Sequence, residues 1–418
     1  MPKKKKEARR LDDLMRDPDQ LEKMKAHLYS KRPLLEAGGG FAELLQSMVN
    51  ATLEGEVDAH LEESRAGGRA NKRNGYTDKT VLSQAGPLDI RTPRDRDGSF
   101  EPELVAKRER QLSSGLDEQI LALYAQGNSV EDVRRLLRQL FSVDISAGKI
   151  SAITDRILPE IEAWRSRRLQ SFYPVVYLDA IHFKVRHEGV YSTRAFYTVY
   201  AVDVQGQRDL LGMYVEQAEG ASRWAMVLAD LQNRGVEDIL VVCTDNLRGF
   251  SEAITEVFPG AVVQKCIVHM LRHSLRFVDE RDRKTVLADL RKIYTAATRE
   301  QARSNLDAFA ATWGQKYSLI VRQWTEQWEE LMAFLDFAPQ MRRMIYTTNP
   351  VEALHRIMRK LIKGKAAWVS EQALVKQLYL SLMQNKQSWQ RKAYGWKSIM
   401  RDLVERYGER IMVHLGGG

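Results

Sequence analysis

The run Tyr173-Pro174-Val175-Val176-Tyr177-Leu178 closes on Asp179. An uncharged, β-favouring run of this kind reads as a strand buried on both faces. An acid at the end of such a run is costly unless something there needs a negative charge. The pattern repeats where Ile239-Leu240-Val241-Val242-Cys243-Thr244 is followed by Asp245. A third acid, Glu352, lies at the start of a predicted helix in Tyr346-Thr347-Thr348-Asn349-Pro350-Val351-Glu352. Three carboxylates on separate regular elements make a candidate site for divalent metal ions, because hard cations prefer oxygen donors.

The elements around these acids predict a mixed α/β architecture. Strands are expected at Tyr173–Phe183, Arg194–Val202, Arg208–Val215, Asp238–Thr244 and Ala261–Lys265, with helices from Gly220 to about Asn233 and over Leu247–Phe258. The order β-β-β-α-β-α-β places three antiparallel strands beside parallel ones joined by helical crossovers, a mixed sheet covered by helices. The first and fourth strands are then parallel neighbours, and Asp179 and Asp245 meet at one end of the sheet. Residues 267–338, with Trp313, Trp324 and Trp328, read as purely helical and interrupt this unit before Glu352.

Each acid has a second reading, which for Asp179 and Asp245 is a strand-end residue that starts a turn. Asp245-Asn246 is a good helix-capping pair. With Asn349 as N-cap and Pro350 at the first helical position, Glu352 falls at a capping-box position. The helix that Glu352 begins is amphipathic: Val351, Leu354, Met358 and Leu361 form its apolar stripe, while Arg356, Arg359, Lys360 and Lys363 put positive charge mostly on the other side. Residues 341–410 hold 15 Lys and Arg against 5 Asp and Glu in a chain whose net charge is +9, so the remainder is close to neutral. An excess this concentrated points to a polyanionic partner near the third acid.

Upstream, residues 1–32 form a polar, basic arm that includes Lys3–Lys6, and Gly38-Gly39-Gly40 marks a break. Over residues 41–64, Leu44, Leu45, Met48, Val49, Leu53, Val57 and Leu61 make a helical stripe, either a packing seam or a dimer seam. In residues 71–112, Asn74-Gly75-Tyr76 reads as a tight turn, with short strands at Thr80–Leu82 and Leu88–Arg91. The charged loop Pro93-Arg94-Asp95-Arg96-Asp97-Gly98 offers Arg94 and Arg96 to a phosphate backbone. Three short helices follow, at Leu116–Ala125, Val130–Phe141 (capped by Ser129) and Ala147–Leu158 (capped by Ser146), a helix-turn-helix pattern suited to DNA.

Two cysteines, Cys243 and Cys266, rule out a disulfide scaffold and fit a reducing compartment. Without an uncharged apolar stretch of membrane-spanning length or a secretory leader, a cytoplasmic protein with no membrane partner is expected. Cys266-Ile267-Val268-His269 has the spacing of two zinc ligands, but no second cysteine pair completes a site. A buried thiol and a hydrogen-bonded histidine are the expectation. His182 and Lys184 read as strand residues flanking Asp179.

Taken together, these segments resemble the Mutator-type DDE transposases of bacterial insertion sequences. The match is carried by Asn74-Gly75-Tyr76 with Lys79-Thr80-Val81, by Pro93-Arg94-Asp95-Arg96 with Phe100-Glu101-Pro102, and by Leu123-Tyr124-Ala125-Gln126-Gly127. It continues through Tyr177-Leu178-Asp179-Ala180, Thr244-Asp245-Asn246-Leu247-Arg248-Gly249-Phe250, Gln264-Lys265-Cys266-Ile267-Val268-His269, and Tyr346 through Glu352. The resemblance implies a ribonuclease-H-like mixed-sheet core with an all-helical insertion, preceded by N-terminal helical and helix-turn-helix DNA-binding regions. The implied divisions are 1–66, 67–112, 113–165, 166–270 (core, first part), 271–340 (insertion) and 341–418 (core completion). Asp179, Asp245 and Glu352 fall on the family's catalytic, metal-binding positions, for two Mg²⁺ ions with Mn²⁺ able to substitute. Cys266 and His269 match its Cys-x-x-His signature, whose role is unsettled. The implied partners are double-stranded DNA, as element terminal inverted repeats and target, and a second copy of the chain on that DNA. The implied setting is the bacterial nucleoid. The implied chemistry is water attack that frees a 3′-hydroxyl, then attack of that hydroxyl on another phosphodiester, in related elements through a circular intermediate. A DNA-binding regulator on an inactive core, and a nuclease that cuts without joining, are the alternatives.

Overall fold

The computed structural model describes residues 18–30, 38–83, 86–107, 115–141, 144–217, 220–246, 249–346, 349–363 and 365–415. The Lys3–Lys6 arm, Leu247, Arg248, Thr347, Thr348 and the side chains of Asn349 and Lys363 lie outside the described residues. The chain divides into two compact units, residues 1–156 and 157–418.

The first unit begins with helices α1 (Pro18–Tyr29) and α2 (Gly40–Ala66), followed by strands β1 (Arg73–Ser83) and β2 (Gly86–Asp95). A two-stranded hairpin is marginal in water unless one face is covered, and α2 covers it. Val49 and Leu53 pack with Val81, Leu88, Ile90 and Val105, while Val57 and Leu61 pack with Phe100. Val49, Leu53, Val57 and Leu61 of the stripe face the chain's own hairpin and the loop after it, so for these residues packing displaces the dimer-seam reading.

Asn74-Gly75-Tyr76 is also corrected. It lies inside β1, where the register shifts between Arg73 and Tyr76 and Gly75 takes φ of +75°. A glycine in the left-handed region absorbs the extra residue of a bulge, and the strand pairing closes at Ser83 and Gly86. Asp95 is buried, with Asn71 Nδ2 at 2.8 Å and the Ser99 amide at 3.0 Å. Burial raises its pKa, but these bonds outweigh burial and hold the carboxyl well below its ordinary range. Arg94 and Arg96 on either side of it are exposed.

The three short helices are α3 (Gly115–Ala125), α4 (Val130–Phe141) and α5 (Ala147–Asp155). Ser129 caps α4 reciprocally with Asp132, its hydroxyl accepting from the Asp132 amide at 3.1 Å while Asp132 accepts from the Ser129 amide at 3.1 Å. Ser146 accepts from the Lys149 amide at 3.2 Å at the start of α5. Both caps were legible from residue type alone.

In the second unit α6 (Leu158–Ser166) precedes β3 (Phe172–His187), β4 (Val190–Val202), β5 (Arg208–Glu216), α7 (Ala221–Asn233), β6 (Asp238–Thr244), α8 (Phe250–Val257) and β7 (Val262–Lys265). The sheet order is β5-β4-β3-β6-β7, with β3 antiparallel to β4 and parallel to β6. The predicted neighbours are thus neighbours. Successive β3 side chains serve opposite cores. Val176 and Leu178 pack with Trp224 of α7 and Phe250 of α8, while Val175 and Tyr177 join the larger core on the other face.

β3 runs further than expected. Its pairing with β6 ends at Leu178–Thr244, but its pairing with β4 continues to His187–Val190. Asp179 therefore sits mid-strand, at the point where the parallel ladder stops. Past it, burial alternates and His182 and Lys184 face solvent.

The interruption before Glu352 is helical: α9 (Ile267–Leu275), α10 (Arg283–Tyr294), α11 (Arg299–Trp313), α12 (Ser318–Glu326), α13 (Trp328–Met332), a 3₁₀ turn at Ala333–Asp336 and α14 (Pro339–Ile345). Trp324 is fully buried there, its indole N–H donating to Ser274 Oγ at 3.0 Å. The chain closes with α15 (Asn349–Lys363), α16 (Glu371–Gln384), α17 (Lys386–Trp389) and α18 (Trp396–Leu415). No helix among the described residues is long and apolar enough to cross a membrane.

Leu53 has no exposed surface. Leu53→Ala is expected to cost about 2–5 kcal/mol in urea unfolding and to leave the oligomeric state unchanged. Dissociation of an oligomer at unchanged stability would restore the dimer-seam reading.

Candidate active site

Residues 344–346, the last turn of α14 and the residue after it, are tied to β3 and β6, the strands that lead to two of the acids. Tyr177 Oη donates to the Met344 carbonyl at 2.9 Å, and Cys243 Sγ lies 3.4 Å from the Ile345 carbonyl. The Ile267 amide donates to the Tyr346 carbonyl at 3.1 Å, and the Cys266 amide to the Thr244 carbonyl at 2.8 Å. Tyr177 and Cys243 stand two positions before Asp179 and Asp245. Two residues along a strand return to the same face, so the surface that anchors this segment is the surface of Asp179.

Helix α15 then packs on that face. Val351, Leu354, Met358 and Leu361 are buried as the sequence pattern predicts. Glu352 is half-buried one turn in, with Oε1 3.1 Å from Arg272 Nη2 of α9. This pair is partly solvated and adds little stability by itself. The capping reading of Glu352 falls on Asn349, whose side chain is outside the described residues. The capping reading of Asp245 fails: the N-cap of α8 is Gly249, with φ of +79°.

Asp179 is 6% exposed, and its Oδ1 accepts from the Ala180 amide at 2.8 Å. Burial pushes its carboxyl up to about 7, with Asp245 and Glu352 adding to the rise. His269 and the Ala180 amide pull the other way. Asp245 and Glu352 therefore both act on Asp179, and the site is short of positive charge. In this side-chain arrangement no three His, Cys, Asp or Glu side chains among the described residues converge closely enough to hold one ion.

Cys266, buried, caps α9, and His269 lies on its first turn. The neighbouring Cys266 raises His269 to about 9, against burial, with Asp179 and Asp245 contributing. His269 thus supplies positive charge beside the acids. Its Nδ1 is buried without a hydrogen-bond partner.

His355, like Arg272 and Thr198, escaped the sequence reading. His355 is completely buried on α15, one turn after Glu352. Its Nε2 lies 2.8 Å from Thr198 Oγ1, and its Nδ1 lies 3.6 Å from Asp179 Oδ2. Burial, followed by Arg359 and His269, pulls its pKa down to about 3, so the imidazole is neutral. The signal was the Glu352-Ala353-Leu354-His355 spacing, which places both polar side chains on one helix face. It was masked by the apolar stripe in which His355 sits.

Arg356, Arg359 and Lys360 are exposed and have no carboxylate within ion-pair distance among the described residues. Arg94 and Arg96 belong to the first unit.

The family description "Transposase, Mutator family" matches residues 18–392. The chain belongs to that family. It is 39% identical over 405 residues to the transposase for insertion sequence element ISRM3 of Rhizobium meliloti, covering 96% of this chain and 98% of that one. It is likewise 39% identical to a probable transposase for an insertion sequence element of Corynebacterium diphtheriae, covering 77% of this chain and all of that one. Among solved structures, the Drosophila P element transposase strand transfer complex overlaps 70% of this chain and 85% of that chain at 10% identity. Its TM-score of 0.28 is too low to bear on the fold. The Mutator-family resemblance read from the motifs is thus established over most of the chain.

Asp179 has its ordinary pKa near 3.8 when unfolded and about 7 when folded. Below 3.8 it is neutral in both states. Between 3.8 and 7 the folded state holds more protons, so its contribution to stability declines as pH rises and is fully lost above 7. Asp179→Asn removes this dependence. Without divalent cations, the stability of the variant relative to the parent should rise from pH 4 to 7 and then level. An equal difference at pH 4 and pH 8, measured by urea unfolding, would contradict the burial argument.

Proposed function

We propose that this Mutator-family member is the transposase of an insertion element, and that it cleaves and joins DNA at Asp179, Asp245 and Glu352. The observation that carries the reading is the burial of Asp179 where the β3–β6 ladder stops, with Asp245 and Glu352 both close enough to act on it. Such a site tolerates ionisation only with added positive charge, which fits hard divalent cations in donor chemistry. Asp179, Asp245 and Glu352 would hold Mg²⁺, with Mn²⁺ as a substitute, and the ions would activate an attacking oxygen and stabilise a leaving one in phosphodiester transfer. The order β5-β4-β3-β6-β7, with a helical interruption before Glu352, supports a ribonuclease-H-like core.

The chain's own residues do the rest. β3 and β6 fix two acids at the end of their parallel ladder, and α15 delivers the third. Arg356, Arg359 and Lys360, exposed one to two turns beyond Glu352, receive the phosphate backbone. Arg272 and His269 offset the acids' charge until the substrate is engaged. Arg94, Arg96 and the short helices α3–α5 supply further contacts to the element ends, and two copies of the chain hold two ends together.

Asp179→Asn, Asp245→Asn and Glu352→Gln should each abolish nicking of a duplex carrying the element end while retaining end binding in a gel-shift assay. Normal nicking by Glu352→Gln would return Glu352 to the role of a helix cap. Joining of a pre-cut 3′-hydroxyl end to target DNA separates a transposase from a simple nuclease. Binding should weaken with salt, and Arg356→Ala should lower the log–log slope by about 0.9, the loss of one phosphate contact. An unchanged slope would remove this helix from the DNA surface.

A further inference from the structure

The proton arrangement around His355 follows from its neighbours. Thr198 stands opposite Asp179 in the β3–β4 register, and its hydroxyl donates to the Asp179 carbonyl at 3.0 Å. A hydroxyl has one proton to give, so Thr198 Oγ1 receives the Nε2–H of His355 across their 2.8 Å contact. The tautomer is then fixed, and Nδ1 carries a bare lone pair. That atom is buried, has no hydrogen-bond partner, and is aimed at Asp179 Oδ2 from 3.6 Å. The separation is too long for a hydrogen bond. A lone pair facing a carboxylate oxygen inside a protein is unfavourable unless a proton or a cation lies between the two, and 3.6 Å is too long for a shared proton. Two ligand bonds of about 2.1 Å span up to about 4.2 Å, so one ion can reach both atoms.

We propose that His355 Nδ1 is a metal ligand beside Asp179, which makes this a carboxylate site with one imidazole donor and a preference for Mn²⁺ over Mg²⁺. The assignment rests on the reading of Asp179 as a metal-binding acid. Mg²⁺ demands oxygen donors and near-ideal octahedral geometry, whereas an imidazole donor suits transition metals. The Thr198 hydroxyl orients the ring as an outer partner, the usual arrangement for a ligating histidine. Glu352, one turn before His355, shares its helix face, so α15 brings a carboxylate and an imidazole together.

Full-length protein without a histidine tag, loaded with Mn²⁺, tests the assignment by pulsed electron paramagnetic resonance and by calorimetry. The expected spectrum contains ¹⁴N modulation from a directly bound imidazole, lost in His355→Gln and kept in His269→Gln. Mn²⁺ affinity should fall at least about tenfold in His355→Gln, with a smaller loss for Mg²⁺. The spectrum of the unaltered protein needs no variant to fold. Mn²⁺ binding that depends on Asp179, as judged with Asp179→Asn, but shows no ¹⁴N modulation would overturn the ligand role, because a residue that only orients Asp179 would alter affinity without that signature. Modulation that persists in His355→Gln would do the same. Absence of any Asp179-dependent Mn²⁺ binding would overturn both this assignment and the reading of the acids.

Discussion

The attachment of one chain segment to β3 at two points sets the geometry of the site. Ahead of α15, the Met344 carbonyl receives the Tyr177 hydroxyl. After α15, Trp368 exchanges backbone bonds with the outer part of the same strand, its amide donating to the Lys184 carbonyl at 2.9 Å and its carbonyl accepting from the Arg186 amide at 2.8 Å. Asp179 lies between these anchors. A helix held at both ends against one strand has little freedom to slide, and the buried stripe of Val351, Leu354, Met358 and Leu361 sets its rotation. Fully burying a side chain of this type contributes about 1.5–3 kcal/mol. That gain offsets the cost of holding Glu352 and a neutral His355 near a buried acid.

The electrostatics explain why the site breaks rules that the rest of the fold obeys. Other acids of the fold have close partners: Asp95 Oδ2 takes bonds from Asn71 and Ser99, and Asp238 at the start of β6 takes both Nε and Nη2 of Arg410 at 2.6 Å. Asp179 has one amide, the His269 cation and two repelling carboxylates. Local inconsistency of this kind is characteristic of functional positions, where stability is given up for chemistry. His269 and Arg272 lie on one face of α9, three residues apart, and temper the repulsion from one side.

Much of this was legible in the chain. The β-β-β-α-β-α-β order, the parallel pairing of the strands that carry Asp179 and Asp245, the helical interruption, and the caps at Ser129 and Ser146 all follow from local composition and period. Where the sequence reading erred, tertiary context had overridden a local signal. Asn74-Gly75-Tyr76 carries hairpin-turn residues, yet a left-handed glycine serves a bulge equally well, and only strand pairing decides between the two. The α2 stripe said that something must cover it, and could not say that the chain's own hairpin would. Asp245-Asn246 has capping chemistry, but Gly249 turns the chain into α8.

Sequence alone determined the element types, the family, and the presence of acids where apolar runs end, because these depend on residue chemistry within a few positions. Only the tertiary structure decided that the parallel ladder stops just before Asp179, and that His355 points an unpaired nitrogen at it. Those facts depend on where β6 stops pairing with β3 and how α15 is rotated on the sheet. Both are set by packing between residues far apart in the chain, which no local pattern encodes.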